Sequence, residues 1–310
     1  MRLLITGANG FLGRHLCEHF LECSGIEVTG LVRRSIADQA MRYMVVSGLD
    51  RASDLSKAVS GQDVVIHAAA RAHVAKESVP NALEEYRKVN VEGTLNLGRV
   101  AIKAGVKRFI FISSIGVNGS LNSKPFTESD APAPTDLYAK SKLEAEVALW
   151  DLTRDSNMEL VVIRPPLVYG PNAPGNFGSL MRWIENGVPL PLGAVKNKRS
   201  LVSVDNLVDL VATCVEHPAA GNELFLAGDG EDLSTTELLQ QVAKGMGKSA
   251  YLVPVPASIL ILVATALGRK TMAQRLLGSL QVDISKARNV LGWQPPLSLE
   301  EGFKRCVSGQ

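Results

Sequence analysis

Cysteine is scarce and scattered in this chain. The four residues, at 17, 23, 214 and 306, form no CxxC pair and no tight framework. That excludes a disulfide scaffold and points to free thiols in a reducing compartment, the cytoplasm. A surplus of one charge is also missing: 33 Lys and Arg stand against 31 Asp and Glu, interspersed, for a net charge of +2. Nothing in that balance argues for nucleic acid or an acidic membrane surface as a partner. Long hydrophobic runs are absent too. Only Leu3, Leu4 and Ile5 precede the first glycine, too short a run for a signal peptide. The most apolar stretch, Ala257 to Leu267 (ASILILVATAL), lies between Pro254 and Pro256 on one side and Gly268, Arg269 and Lys270 on the other. Its eleven residues fall short of the about 20 that span a bilayer, so no stable membrane insertion is expected. A core or covering helix is favoured there over an interfacial anchor. No internal repeat or low-complexity segment occurs. His15 and His19 stand at i and i+4 around Cys17 and Glu18, but no second ligand pair follows, so no metal is expected.

What is present begins at the N-terminus. At 310 residues and 46% hydrophobic, the chain has an ample core for one large domain or two intertwined ones. Its opening, MRLLITGANGFLG, reads as a short buried strand followed by glycines at 7, 10 and 13. Leu12, Leu16 and Phe20 then recur every four residues, so a helix begins inside the glycine loop. Strand, glycine turn and helix in that order present backbone N–H groups and a helix dipole to a pyrophosphate. Dinucleotide binding is the reading.

Further strands are expected at Glu27–Val32, Tyr43–Val46, Val64–His67, Phe109–Ile112 and Leu160–Ile163. Helices are expected over Asn81–Ala104 and Tyr138–Arg154. Strands alternating with helices imply right-handed crossovers and a parallel sheet covered on both faces, a doubly wound Rossmann sheet of the α/β class. From Arg164 the texture changes to RPPLVYGPNAPGNFGS, rich in proline and glycine, and the alternation ends. A smaller, interleaved C-terminal substrate-binding lobe is expected. Residues 1–168 with 200–228 would form the cofactor domain, and 169–199 with 229–310 the lobe.

The choice of dinucleotide follows from one position. In such a unit an acidic residue about 20 positions beyond the glycines takes the ribose 2′-OH, whereas an Arg accommodates a 2′-phosphate. Nineteen residues beyond Gly13 stands Val32, followed by Arg33 and Arg34. NADP(H) is therefore preferred, with NAD(H) possible. A second constellation is Ser113-Ser114 at the end of the fifth strand, with Tyr138 and Lys142 four apart on one face of the next helix. An ammonium beside a phenol favours the phenolate, so Lys142 is expected to pull the Tyr138 pKa down towards the working pH. Tyr138 would then exchange a proton with a substrate oxygen that a serine hydroxyl holds.

Six segments in order, TGANGFLG, DVVIHAAA, VNVEGT, FISSIGVNG, YAKSK and RPPLVYGP, resemble the extended short-chain dehydrogenase/reductases. This is the NAD-dependent epimerase/dehydratase family acting on nucleotide sugars. The resemblance implies that Tyr138 is the acid/base, that Lys142 lowers its pKa and binds the nicotinamide ribose, and that Ser114 rather than Ser113 positions the sugar oxygen. It implies cofactor contacts from Gly7, Gly10, Phe11, Leu12, Gly13, Arg33, Ala68, Ala69 and Pro165. It also implies that Asn176 and Arg199 hold the diphosphate of a UDP-sugar, with Arg275 a weaker candidate, and that His67 is a hydrogen-bonded structural residue. Ser200 and Leu201 depart from the family's segment around Arg199. A homodimer through the two long helices is a further implication. The tail LLGSLQVDISKARNVLGWQPPLSLEEG resembles the branch of NADPH-dependent reductases of UDP-4-keto-6-deoxy-N-acetylhexosamines in surface-polysaccharide (O-antigen and capsule) synthesis. The alternative is a 4-epimerase of UDP-glucose or UDP-N-acetylglucosamine. Dehydration is disfavoured because Ile115 and Gly116 stand where acidic residues would follow the serine, and the intact Ser/Tyr/Lys set disfavours a non-catalytic binding protein.

Overall fold

The computed structural model describes residues 1–34, 41–72, 81–174 and 176–308, with backbone alone for 176, 270–272, 307 and 308. In strand β1 (Arg2–Thr6), Leu3, Leu4 and Ile5 are fully buried. A strand buried on both faces belongs inside a parallel sheet. Helix α1 (Phe11–Glu22) starts from the glycine loop with Gly10 at its N-cap and turns Leu16, Cys17 and Phe20 inward. Strands β2 (Glu27–Val32) and β3 (Arg42–Val45), helix α2 (Ser56–Val59) and strand β4 (Val64–His67) follow. The helical pattern after Asn81 forms α3 (Ala82–Arg87), a wider π-helical turn at Lys88–Gly93, and α4 (Thr94–Lys103). Gly93 lies hard against the preceding loop, where a Cβ would come within 2.5 Å of the Leu49 carbonyl oxygen. Then come β5 (Arg108–Ile112), α5 (Leu137–Thr153) and β6 (Glu159–Arg164).

Beyond Arg164 the regular alternation stops, as the proline-rich texture implies. The chain forms β7 (Leu167–Tyr169), α6 (Asn176–Glu185), β8 (Arg199–Ser203), α7 (Val204–Glu216), β9 (Glu223–Leu226), β10 (Asp232–Leu233) and α8 (Thr235–Gly245). Helices α9 (Ala257–Ala266), α10 (Lys270–Leu277), α11 (Ser285–Leu291) and α12 (Leu299–Ser308) complete it. The main sheet has seven parallel strands in the order β3-β2-β1-β4-β5-β6-β9, and a second sheet holds β10-β8-β7. This is the expected doubly wound Rossmann arrangement.

One core lies under α1 and α7, and a second under α4 and α5 on the opposite face of the sheet. A third, including Phe177, Met181, Leu239 and Phe303, fills the C-terminal lobe. Ile284, Ala287, Leu291 and Trp293 rejoin the first core, so the chain's end returns to the Rossmann face.

Of the two forms expected over Ala257–Leu267, a core or a covering helix, the structure gives the covering one. Helix α9 contains no buried residue. Its apolar residues run round the whole helix, so only one side can pack. Leu260 and Ile261 touch the lobe core, while Ile259, Leu262, Val263 and Leu267 lie exposed. Among the described residues no helix is long and apolar enough to cross a membrane.

Candidate active site

The β1–α1 loop closes on the turn after β4. Gly7 has φ +70°, and a Cβ there would meet the Ala69 backbone at 2.9 Å; one on Gly13 would come within 2.0 Å of the Gly7 carbonyl oxygen. Only glycine permits both approaches. A cleft of about 630 Å³ opens at this point. Gly7, Asn9 and Gly10 form one wall, Val32 and Arg33 the end of β2, and Ala68 and Ala69 the far side. It lies beyond the carboxyl ends of β1 and β4, where the strand order reverses, and such crevices bind ligands in open α/β sheets. Its size and glycine-lined wall suit a dinucleotide. Asp50, Arg71 and Lys88 also line the cleft; the sequence offered no local pattern that singled them out. Phe11 and Leu12, half-buried in the first turn of α1, pack against the first core. Pro165 is buried after β6, and its carbonyl accepts the Ile115 N–H at 2.9 Å, next to Ser114.

The two serines leaving β5 have different fates. Ser113 is buried and donates its hydroxyl to the Glu146 carboxylate. Ser114 is half-buried, and its Oγ accepts the Gly116 N–H at 3.1 Å, capping a short turn over Ile115–Val117. A Cβ on Gly116 would meet Ala139 at 3.1 Å, so this turn sits directly on α5 beside Tyr138. Ser113 is thus occupied in the core, whereas the Ser114 side chain lies part-exposed beside the start of α5.

Helix α5 begins where Asp136 accepts the Ala139 N–H at 2.7 Å. That cap places Tyr138 in the first turn, half-buried, with its ring 6.2 Å from Tyr86. Lys142 follows one turn on, buried, its Nζ 3.9 Å over the Phe111 ring. Burial pushes the Lys142 pKa down to about 7, opposed by Glu146. The expected depression of the Tyr138 pKa is not found. Burial foremost, then the Asp136 charge and Tyr86, push the phenol up to about 12. The Lys142 ammonium faces the Phe111 ring. His67 is hydrogen-bonded at both ring nitrogens, to Thr6 Oγ1 at 2.7 Å and Thr94 Oγ1 at 2.8 Å, and burial lowers its pKa to about 3. It is a neutral structural histidine, as expected.

Two buried groups sequence reasoning passed over support this arrangement. Glu146, one turn beyond Lys142, accepts Arg164 Nε at 3.0 Å and Nη2 at 2.5 Å, while Arg164 Nη1 donates to Asn118 Oδ1 at 2.8 Å. The signal for it was the four-residue spacing of Tyr138, Lys142 and Glu146. Asn90, in the π-helical turn, donates to Ser141 Oγ at 2.9 Å and accepts the Arg71 N–H at 2.8 Å. It ties the cleft loop to α5.

The diphosphate candidates are placed differently from one another. Arg199 opens β8 and donates Nη1 to the carbonyls of Arg275, at 2.5 Å, and Gly278, at 3.2 Å. Burial lowers its pKa. Arg275 pairs with Asp136 at 3.0 Å, so it connects the lobe to the start of α5. Asn176 begins α6, and its side chain lies outside the described residues. His15 and His19 line a shallow cleft with Asp205 and Asp209, but no group of three or more metal-binding side chains is found among the described residues.

A model of the NAD dependent epimerase/dehydratase family matches residues 3–228. The chain is 45% identical over 308 residues to a UDP-glucose 4-epimerase of Vibrio cholerae, covering 98% of this chain and 94% of that one. It is 28% identical over 322 residues to the N-acetyl-alpha-D-glucosaminyl-diphospho-ditrans,octacis-undecaprenol 4-epimerase of Escherichia coli O157:H7, with 98% and 94% coverage. Among solved structures, a UDP-glucose 4-epimerase of Thermotoga maritima with UDP-glucose superposes with a TM-score of 0.80 at 25% identity, covering 100% of this chain and 98% of that one.

Proposed function

Because this chain belongs to the NAD-dependent epimerase/dehydratase family, we propose that it inverts C4 of a hexose carried on UDP. The observation that carries this reading is the 45% identity, along 98% of the chain, to a relative named for that reaction. The E. coli relative is also named as a 4-epimerase of a sugar on a diphosphate, so C4 and the diphosphate are the shared elements. Gly7, Gly10 and Gly13, with Phe11, Leu12, Ala68, Ala69 and Pro165, would hold an oxidised nicotinamide dinucleotide, which when bound would accept a hydride from C4 and return it to the opposite face. Ser114 holds the C4 oxygen. Tyr138 removes the proton from that oxygen in one half-reaction and returns it in the other. Lys142 binds the nicotinamide ribose and adds positive charge beneath the site. Asn176 and Arg199 anchor the diphosphate, so that remote binding energy fixes the reacting carbon. The homodimer uses the long helices α3–α4 and α5, where Val147 is exposed.

A specific observation favours a second reading, reduction of a UDP-4-keto-6-deoxy-N-acetylhexosamine by NADPH. Arg33, exposed at the end of β2, lines the cleft, and no acid stands among residues 31–34 to take a ribose 2′-OH. The two readings separate in one assay. Interconversion of C4 epimers of UDP-glucose or UDP-N-acetylglucosamine with no added cofactor is the expected result. Stoichiometric NADPH loss with the 4-keto sugar, and no epimer formed from either UDP-sugar, would overturn it in favour of the second reading. The cofactor itself is tested by Arg33→Ala. If Arg33 pairs with a 2′-phosphate, NADPH affinity falls about tenfold or more while NADH affinity holds, as expected for a charge-assisted contact. Calorimetric titration measures both, and equal losses remove the case for NADP(H).

A further inference from the structure

The C-terminal lobe presents an apolar surface that the proposed reaction does not use. On α9 and its C-cap the exposed residues Ile259, Leu262, Val263 and Leu267 fall at i, i+3, i+4 and i+8, one stripe along the helix. Leu262 and Leu267 are each 70% exposed. An apolar stripe normally faces the core; here it faces outward. The surface continues beyond the helix. Tyr251, 65% exposed, and Val253 precede α9, and Trp183 at 42% stands across an apolar groove of about 380 Å³ that also takes in Leu260. Backbone bonds between Leu190 and both Tyr251 and Val253 join the two sides. An apolar patch of this extent, carrying an exposed Trp and Tyr, marks an interaction site.

Charge identifies what covers it. From Leu238 to Val282, 45 residues, there is no Asp or Glu, against 31 acids in 310 residues overall. The same segment has five basic residues: Lys244, Lys248, Arg269, Lys270 and Arg275. Lys244 pairs with Glu300 and Arg275 with Asp136. Arg269, just past the helix, has no acidic partner among the described residues, and Lys248 bonds only a backbone carbonyl, that of Glu185. A second copy of this face would set like charges against each other, whereas an anionic surface matches them. Leu, Ile and Val on one helix face, Trp and Tyr at its edge and basic residues beside it are the make-up of a helix lying in a lipid headgroup layer. The ten residues of α9 reach about 15 Å, half of the hydrocarbon thickness, so the helix lies flat.

We propose that α9 and the loop before it dock this protein peripherally on an anionic membrane surface. The patch is one helix from the site: α9 precedes α10, whose Arg275 bonds Asp136, the cap of the helix that carries Tyr138. Docking sets the site close to the bilayer, whichever C4 reaction it performs.

Flotation of the full chain with vesicles of phosphatidylethanolamine and phosphatidylglycerol tests this. The protein is expected to float with them, to float far less with phosphatidylcholine alone, and to be released at high salt. Leu262→Glu with Leu267→Glu should lower partitioning about tenfold or more. Turnover of a water-soluble UDP-sugar should be unchanged in that variant, which shows that it folds. Arg269→Glu, which leaves the apolar stripe intact, should weaken binding to the anionic vesicles alone. Absence of flotation, or a double variant that floats like the parent, would overturn the proposal. So would a change in sedimenting mass in the variant without vesicle binding, because the patch would then be a self-association face.

Discussion

Tyr138→Phe is expected to keep the fold and hold the nicotinamide cofactor while turnover falls by about 10²–10⁴-fold. The substitution removes one oxygen and leaves the ring. Tyr86 keeps its aromatic neighbour, and the helix cap at Asp136 is untouched, because it engages backbone. The size of the loss follows from the role. Burial, the Asp136 charge and Tyr86 push the phenol up to about 12. In the proposed reaction it exchanges the proton in both half-reactions, so the chemical step is what suffers. Single-turnover kinetics beside a cofactor-binding titration separates the effects. Turnover close to wild type would remove Tyr138 as the acid/base. Loss of cofactor binding together with turnover would assign it a structural role instead. Ser114→Ala, which would remove the proposed hydrogen bond to the same oxygen, should cost less.

The second large effect lies beneath the site. Glu146→Ala should lower unfolding free energy by about 3–5 kcal/mol, because it strands the buried Arg164 guanidinium. The Arg164 and Glu146 side chains are only 5% and 2% exposed. Glu146 also accepts the Ser113 hydroxyl, so removing it leaves a second buried donor without a partner. Glu146→Gln, which keeps acceptor capacity, should cost less. Replacing Glu146 and Arg164 together by Met should recover much of the loss, because it removes both charges along with their desolvation cost. Denaturant titration reads all four proteins. A Glu146→Ala loss under about 1 kcal/mol, or a double variant no better than the single one, would show that the pair is not the buried strut its geometry indicates.

Much of the fold was legible along the chain because its causes are local. Val64–His67 and Glu27–Val32 are strands at their expected bounds, and β5, β6 and α5 differ from expectation by a residue or two at their ends. Their apolar runs and helical spacings depend on near neighbours alone. The glycines at 7, 10 and 13 are legible for the same reason: a tight turn with a close backbone approach leaves room for little else. Tyr138 and Lys142 share a helix face by spacing.

Partner choice and burial were not legible, because both depend on residues far apart in sequence. Ser113 and Ser114 are adjacent, and only Glu146, 33 residues on, separates the buried one from the one at the site. The Tyr138 pKa was expected to fall on the strength of a lysine four residues away. It rises because the surrounding protein excludes water from the phenol, and because the Asp136 charge and Tyr86 lie beside it. Arg199 was expected at the diphosphate from its segment alone; that its Nη1 also reaches carbonyls more than 70 residues away could be seen only in the fold. Helix α9 carries its apolar residues on every side. Composition could say that it would be a helix too short to span a bilayer; only the packing of the lobe decided which side meets protein and which meets solvent.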